Sequence, residues 1–184
     1  MINNLKVYGL DNSVRVGKFP KAVNEKELTT TPTSMTKVLA QANKGSGHDC
    51  FLKGIVVQFD LTLSIKAWTE AERYHWLDIV SSQSTMHMIT KFDLNRNRFD
   101  NHVDPRAIDL LKEKIKQYEK HNSKENYLNI LYNVPTGFKL TAGITTNYLQ
   151  LKTIISQRKD HRLTEWKEFC KIMLKGLPHS DWIA

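Results

Sequence analysis

The sequence predicts a single domain of the mixed α/β class, of the α+β type, in which strands and helices share one core. Residues 54–64 alternate between apolar and polar side chains, which is the period of a half-buried strand. Ile108, Leu111 and Ile115 recur three and four positions apart, which is the period of an amphipathic helix. The chain of 184 residues is long enough for one sizeable core and too short for two comfortable domains.

The first half of the chain predicts strands and helices in alternation. Residues 5–9 predict a short first strand, and residues 54–64 predict the longest one. Between these strands, Ser34 is predicted to cap a helix over residues 34–43. A second helix is predicted from Trp68 to Val80, because its first turn carries the acidic residues that a helix dipole favours.

The second half begins with a loop and is then mostly helical. Residues 93–104 are rich in Asn, Asp and Arg and show no period, so we expect a flexible loop that is able to border a ligand site. Asp104 and Pro105 are suited to opening the helix predicted over residues 105–121. The remaining predictions are a strand at 127–132, an extended stretch at 139–141, and helices at 144–160 and 164–175.

Composition and missing motifs narrow the class of protein. The chain carries 27 Lys and Arg against 19 Asp and Glu, and this net charge of +8 favours polyanionic partners. The basic residues are interleaved with acids, so a solvated basic surface and a specific anion site both stay open. We expect a cytoplasmic protein, because no apolar run has transmembrane length, no signal peptide is evident, and Cys50 and Cys170 have no metal or disulfide spacing. Neither a P-loop nor a Rossmann, zinc-protease or hydrolase motif is present.

Two segments carry polar side chains of the kind that bind nucleotides. Gly47-His48 follows a glycine-serine loop, where a backbone without Cβ atoms lets a ligand approach and the imidazole is able to contact an anion or a ring. The segment from Arg73 to His87 adds a guanidinium suited to phosphate and the hydroxyl and amide groups of Ser81-Ser-Gln-Ser84. Ordinary surface loops and polar turns carry the same residues, so neither segment defines a site by itself.

A third segment runs from Asn147 to Arg158. On a helix, these two residues share one face with Leu151 and Ile154, and this face is apolar in its middle and polar at both ends. A core helix has no need for polar ends on its buried face. Two interpretations stay open: the polar ends reach a shared cleft, or they extend to the surface from the helix ends.

In order and spacing, these segments resemble the flavin-dependent thymidylate synthase family. In that family a Gly-His precedes a strand and a helix that lead to an Arg-His-Arg motif, and here Gly47-His48 is followed 25 positions later by Arg73. The family's helix near the C-terminus carries Asn and, eleven residues later, Arg. Asn147 and Arg158 reproduce that interval.

The resemblance implies a twisted mixed sheet flanked by helices in one domain over residues 1–184. It covers about residues 5–90 and 130–166, so the part at about 92–126 is predicted to be a variable loop-helix insert. The family uses FAD to carry a hydride while a folate donates the methylene group, and it assembles as a homotetramer with shared active sites. Because the chemistry is the cofactor's, no catalytic nucleophile and no metal are expected in the chain.

Carried over residue by residue, the resemblance implies two sets of roles. The first is contact with the flavin and its phosphates by His48, Arg73, His75 and Asn147. The second is contact with a deoxyuridine nucleotide by Ser82, Ser84 and Arg158, of which Arg158 would hold the phosphate. The chain departs from the family at several positions: Arg-His-Arg reads Arg73-Tyr74-His75, the acid of an Asn-Glu pair is missing near Ser81-Ser82, and Lys53 stands where the family commonly has an acid.

Three functions follow from this pattern. The first is a flavin-dependent enzyme that binds a pyrimidine deoxynucleotide and transfers a one-carbon unit to it. The second is a non-catalytic protein that uses the same fold and a basic cleft to bind a nucleotide or nucleic acid, which the net charge and the missing acid favour. The third is an interaction or inhibitor protein, for which the sequence carries no positive sign.

Overall fold

The central strand forms where apolar and polar residues alternate most regularly. In the computed structural model, which describes residues 1–43 and 45–184, this strand spans Val56–Ser64. The side chains that it buries are Val57, Phe59, Leu61 and Leu63. Gln58, on the opposite face, is exposed. The strand predicted over residues 54–64 is therefore confirmed.

Four strands and eight α-helices make up the described part of the chain. The strands are β1 (Ile2–Tyr8), β2 (Val56–Ser64), β3 (Asp78–Ser82) and β4 (Lys139–Asn147). The helices are α1 (Leu10–Val16), α2 (Ser34–Ala40), α3 (Ile65–Ala71), α4 (Thr85–Met88), α5 (Pro105–Lys120), α6 (Lys124–Leu131), α7 (Tyr148–Arg158) and α8 (Thr164–Gly176). Short 3₁₀ turns lie at Phe19–Lys21, Glu25–Glu27, Cys50–Gly54, Arg96–Arg98 and Ser180–Trp182. None of these helices combines the length and the apolar character needed to cross a bilayer.

The strands form one sheet in the order β1-β2-β4-β3. β2 and β4 pair along their whole length, from Val56 opposite Asn147 to Ser64 opposite Lys139. The α+β class is confirmed. Every strand pair among the described residues is antiparallel, so the sheet is antiparallel rather than mixed in direction.

The helix predicted from Trp68 to Val80 is wrong after Ala71. α3 begins earlier, because the Ser64 hydroxyl accepts a hydrogen bond from the Ala67 amide and caps it, and the helix ends at Ala71. Arg73 therefore lies in the turn after α3 and not in the helix. Residues 78–82 form edge strand β3 instead, since β-branched Ile79 and Val80 favour a strand once β4 offers a pairing edge.

Two further segments differ from the prediction in their type of secondary structure. Residues 127–132, expected as a strand, lie in α6 and the turn after it, because Ser123 caps this helix and Ile130 is buried in a hydrophobic cluster. Residues 144–147, expected as the start of a helix, belong to β4. Their side chains alternate between the two faces of the sheet, and the full-length pairing with β2 outweighs any local helical preference. The helices predicted at 34–43, 105–121 and 164–175 are confirmed, with shifted ends.

The buried side chains form two clusters. The larger one packs the inner face of β2 and β4 against α7 and α8, with Leu151, Trp166 and Phe169 fully buried. The smaller one lies under α5 and α6, where Phe99 and Phe138 meet edge to face. The loop predicted at 93–104 contributes Phe99 to this second cluster, so part of it is anchored by burial.

A buried carboxylate joins the start of α8 to the end of β2. Glu165, in the first turn of α8, accepts a hydrogen bond from the Ser64 amide at 2.7 Å and one from the Ser64 hydroxyl at 2.5 Å. Ser64 is therefore both the cap of α3 and the partner of this carboxylate. A charge at this depth is stable only while these donors are present.

We expect Ser64→Ala to lower the free energy of unfolding by about 2–3 kcal/mol, because it removes a helix cap and leaves a buried carboxylate short of a donor. Ser123→Ala is the matched control: Ser123 also caps a helix, and its hydroxyl has no charged partner among the described residues. Loss of the Ser123 cap should lower the free energy of unfolding by about 1 kcal/mol. Urea unfolding of both variants measures the difference, and equal losses would show that Glu165 adds nothing.

Candidate functional site

A cavity of about 770 Å³ lies where β4 ends and α7 begins. Its walls come from the loop after α2, the 3₁₀ turn Cys50–Gly54, the turn before β3, and the first turns of α7. Gly47, Trp76 and Asn147 all line it. Each comes from a different one of the three segments that the sequence analysis selected, so the fold brings these segments together.

Asn147 is held at this cavity by the change from strand to helix. Its side-chain oxygen accepts a hydrogen bond from the Gln150 amide at 2.9 Å and caps α7. The next amide, that of Tyr148, donates to the Ile55 carbonyl at 3.0 Å. Burial raises the pKa of the Tyr148 phenol, which stays neutral and donates to the Pro178 carbonyl. The Asn147 amide nitrogen has no hydrogen-bond partner in the described chain and is left as a donor for a ligand.

A buried ion pair sets the charge of the cavity. The Lys152 ammonium lies 2.8 Å from the Asp49 carboxylate, and their side chains are 19% and 5% exposed. It also donates to the carbonyls of Ala40 and Ala42, at the end of α2, where carbonyls lack helical partners. Asp49 is thereby neutralised. Lys53 is the other charged side chain among the described residues of the lining, so the cavity favours an anion.

The glycine loop separates this cavity from a second one of about 500 Å³. Gly47 lines both, and His48 lines the second together with apolar side chains such as Leu39 and Phe51. Gly45 and Gly47 have φ values of 86° and 79°, a region that residues with a Cβ rarely adopt. Glycine is therefore required at this turn, which keeps the backbone open to both cavities.

The turn between α3 and β3 carries Arg73 and His75. Both are exposed, and Arg73 makes no side-chain hydrogen bond or ion pair within residues 1–43 and 45–184. His75 packs edge to face against Trp76, with ring centroids 5.5 Å apart. The Thr146 hydroxyl donates to the Trp76 carbonyl at 2.6 Å, which fixes this turn beside Asn147. Arg73 and His75 thus lie next to a wall of the cavity without lining it.

Ser82 and Ser84 lie toward the other end of the sheet. Ser82 is exposed and pairs with Ala142, five residues before Asn147 on β4. At about 3.3 Å per residue, this places it roughly 16 Å from Asn147 along the strand. Ser84 immediately precedes α4, and its carbonyl accepts the Met88 amide at 3.0 Å. Within one chain, neither serine lines the cavity.

Arg158 is engaged inside the chain. Its guanidinium donates to Glu70 at 2.8 Å and to the Tyr74 hydroxyl at 2.7 Å, and it lies over the rings of Tyr74 and Trp166. His161 also contacts it, and the Arg158 side chain is only 11% exposed. This arrangement connects α7, α3 and α8. A phosphate approaching Arg158 would have to share it with the Glu70 carboxylate.

Proteins of known structure share this architecture. Thymidylate synthase X (ThyX) from Helicobacter pylori, crystallised with FAD and dUMP, aligns with a TM-score of 0.74 over 97% of this chain and 95% of that one, at 18% identity. The UMP/dUMP methylase PolB from Streptomyces cacaoi, bound with 5-Br dUMP, aligns with a TM-score of 0.68 over 100% and 94% of the chains, at 12% identity. The fold is that of the flavin-dependent thymidylate synthases. No protein-family model and no curated protein sequence matches the chain.

On the flavin-dependent thymidylate synthase fold, the residues predicted from the sequence are not gathered in one cavity of a single chain. Asn147 lines the larger cavity and His48 the adjoining one. Trp76 was missed as a lining residue, and Lys53 was noted only as a departure from the family. The signal for Trp76 was its position directly after Arg73-Tyr-His75. The spacing of the motifs carried no information about which side of that turn faces the cavity.

We expect Lys152→Met to lower the free energy of unfolding by about 3–5 kcal/mol, because it leaves Asp49 as a buried charge without its cation. The control is Lys37→Met. Lys37 pairs with Asp181 at the same 2.8 Å, but both side chains are 51% exposed, so the loss should be at most about 1 kcal/mol. Chemical denaturation of the two variants compares them. A similarly small loss of unfolding free energy in both variants would mean that the Lys152–Asp49 ion pair does not hold the glycine loop.

Proposed function

We propose that the chain binds a pyrimidine deoxynucleotide and FAD on its flavin-dependent thymidylate synthase fold. The observation that carries the proposal is the charge of the larger cavity, where Asp49 is neutralised by Lys152 and Lys53 has no ion-pair partner in the described residues. Solved structures of the same fold hold FAD and dUMP, or 5-Br dUMP, all of which carry phosphate. A cationic cavity on this fold suits the same class of ligand.

The phosphate groups would be bound by cations that the fold leaves available. Lys53 lines the cavity, and the exposed Arg73 and His48 lie on the two segments that border it. An arginine offers a fork of donors that matches phosphate, whereas a lysine acts as a point charge. Ser82 and Ser84 would contact the nucleotide only if a second chain or a ligand spanning the sheet edge brings them near.

The donors present fit FAD in their chemistry. A pyrophosphate accepts hydrogen bonds, which the Arg73 guanidinium and the His48 imidazole are able to donate, and a flavin ring has polar edges that accept hydrogen bonds from an amide such as that of Asn147. His75, exposed beside Arg73, completes the cofactor-binding set that we propose. When bound, FAD would supply hydride transfer. The chain's own residues would bind and orient the cofactor and the nucleotide.

The reaction that we propose is transfer of a one-carbon unit to the nucleotide, with a methylene-folate as the donor that the resemblance implies and a soluble hydride donor as the two-electron reductant that converts methylene to methyl. A non-catalytic nucleotide- or nucleic-acid-binding protein is the second candidate. It is favoured by the engagement of Arg158 with Glu70, which removes a cation from the substrate-binding set. Visible absorbance of the purified protein and turnover of dUMP to a methylated product distinguish the enzyme from the non-catalytic binding protein.

Assembly as a homo-oligomer and a cytoplasmic location stay predictions of the sequence.

We expect Lys53→Ala to weaken the binding of dUMP about tenfold, because a charge-assisted hydrogen bond to phosphate contributes about 1.5–3 kcal/mol. Lys116→Ala is the control, since it removes the same charge from an exposed position on α5. Isothermal titration calorimetry of dUMP and FAD at low salt measures both variants. Equal weakening by both would point to non-specific attraction, and a wild type that binds neither ligand would remove the proposed function.

Three further variants test Arg158 as the phosphate-binding arginine. Glu70→Gln removes its carboxylate partner but keeps the guanidinium. If Arg158, and not Lys53, holds the phosphate, dUMP should bind more tightly to Glu70→Gln, at least about tenfold more weakly to Arg158→Ala, and with intermediate affinity to Arg158→Lys. Calorimetry gives the affinities and thermal unfolding gives the stabilities. Loss of stability in Glu70→Gln and Arg158→Ala with unchanged affinity would assign Arg158 a purely structural role.

A further inference from the structure

Trp76 is the one tryptophan that the fold leaves largely open to solvent. Its side chain is 59% exposed, whereas Trp166 and Trp182 are buried at 0% and 2%. Trp68 is partly buried, and its indole nitrogen donates to the Leu140 carbonyl at 3.2 Å. All four tryptophans of the chain lie in described residues. An open indole is a large apolar surface, and this one forms part of a cavity wall.

The backbone that carries this indole is fixed by its neighbours. The Trp76 carbonyl accepts the Thr146 hydroxyl at 2.6 Å, and the following amide, that of Leu77, donates to the Tyr74 carbonyl at 3.1 Å. His75 meets the indole nearly at a right angle, with an interplanar angle of 88°, so it covers at most one face of the ring. The open part of the indole is thus presented by a turn that is hydrogen-bonded to the end of β4.

The rest of the cavity supplies what a ring-bearing anion requires. Lys53 provides a cation, and the amide groups of Asn147 and Gln150 provide donors and acceptors for the polar edge of a heterocycle. The cavity of about 770 Å³ thus contains an aromatic wall, a cation and amide groups. This combination is complementary to a planar ring joined to a phosphate.

We propose that Trp76 is the stacking surface for the planar heteroaromatic ring of the ligand, and that it selects ring-bearing phosphates over phosphates alone. This inference rests on the proposed function and names the positioning residue of that site. The ring is the pyrimidine of the nucleotide or the flavin of the cofactor. Both present a π face to the indole, so the shared chemistry is stacking, and the choice of ligand in the experiment separates the two.

The experiment compares three variants with four ligands. Trp76→Phe keeps an aromatic ring, Trp76→Leu keeps an apolar side chain without one, and Trp76→Ala removes both. The ligands are dUMP, FMN, deoxyuridine, which has a ring and no phosphate, and deoxyribose 5-phosphate, which has a phosphate and no ring. Lys53→Ala, measured in parallel, isolates the phosphate interaction. Calorimetry gives the affinities, and quenching of tryptophan fluorescence reports contact with the indole directly.

We expect Trp76→Ala to weaken binding of dUMP or FMN about five- to 100-fold, the range that stacking contributes to single-base binding. Trp76→Phe should restore most of this affinity and Trp76→Leu little of it. Deoxyribose 5-phosphate should lose affinity in Lys53→Ala and not in Trp76→Ala, and deoxyuridine should show the reverse. Because Trp166 and Trp182 are buried and Trp68 is partly buried, quenching by dUMP, which does not absorb tryptophan emission, should largely disappear in Trp76→Phe although binding persists. The ligand whose affinity falls more in Trp76→Ala identifies the ring.

Two results would overturn the inference and leave the proposed function standing. One is equal binding of dUMP and of FMN by the wild type and by Trp76→Ala, and the other is a Trp76→Leu variant that binds as well as Trp76→Phe. A change of oligomeric state in Trp76→Ala, seen by light scattering, together with unchanged affinity would assign the indole to contact between chains instead. If the wild type binds none of the nucleotides, the proposed function and this inference both fail.

Discussion

The pairing of β2 with β4 is the constraint on which the rest of the structure depends. These strands match residue for residue over nine pairs, from Val56 opposite Asn147 to Ser64 opposite Lys139. Because the strands are antiparallel, their C-terminal ends lie at opposite ends of the sheet. α3 follows β2 at one end and α7 follows β4 at the other. A shift of either strand by one residue in this register would move the buried side chains of that strand to the opposite face of the sheet.

Each end of this strand pair is completed by a polar side chain that also caps a helix. At the end of β2, Ser64 caps α3 and satisfies the buried Glu165 carboxylate. At the end of β4, Asn147 caps α7 and borders the larger cavity. Both ends border a cavity: Ser64 and Glu165 line one of about 640 Å³, and Asn147 lines the one of about 770 Å³ between the glycine loop and the turn at Trp76.

The positive charge of the chain does not by itself locate an anion site. α7 carries both Lys152 and Arg158, and the fold engages each in a largely buried ion pair, with Asp49 and Glu70 respectively. These cations hold loops and helices together. Lys53, by contrast, lines the cavity without an ion-pair partner in the described chain. Which of the 27 basic residues is available to a ligand is therefore decided by where the acids lie in three dimensions.

The sequence by itself determined the α+β class, the strand at 54–64, the cap at Asp104, and a motif order that identified the fold, because periodicity and capping are local properties. Only the tertiary structure decided that residues 78–82 and 144–147 are strand, since each gains its hydrogen bonds from a distant partner. The tertiary structure also decided that Arg158 forms an ion pair with Glu70 and that Trp76 lines the cavity. Spacing along a chain does not specify which face of a turn or helix its neighbours cover, and burial and charge pairing settle that choice.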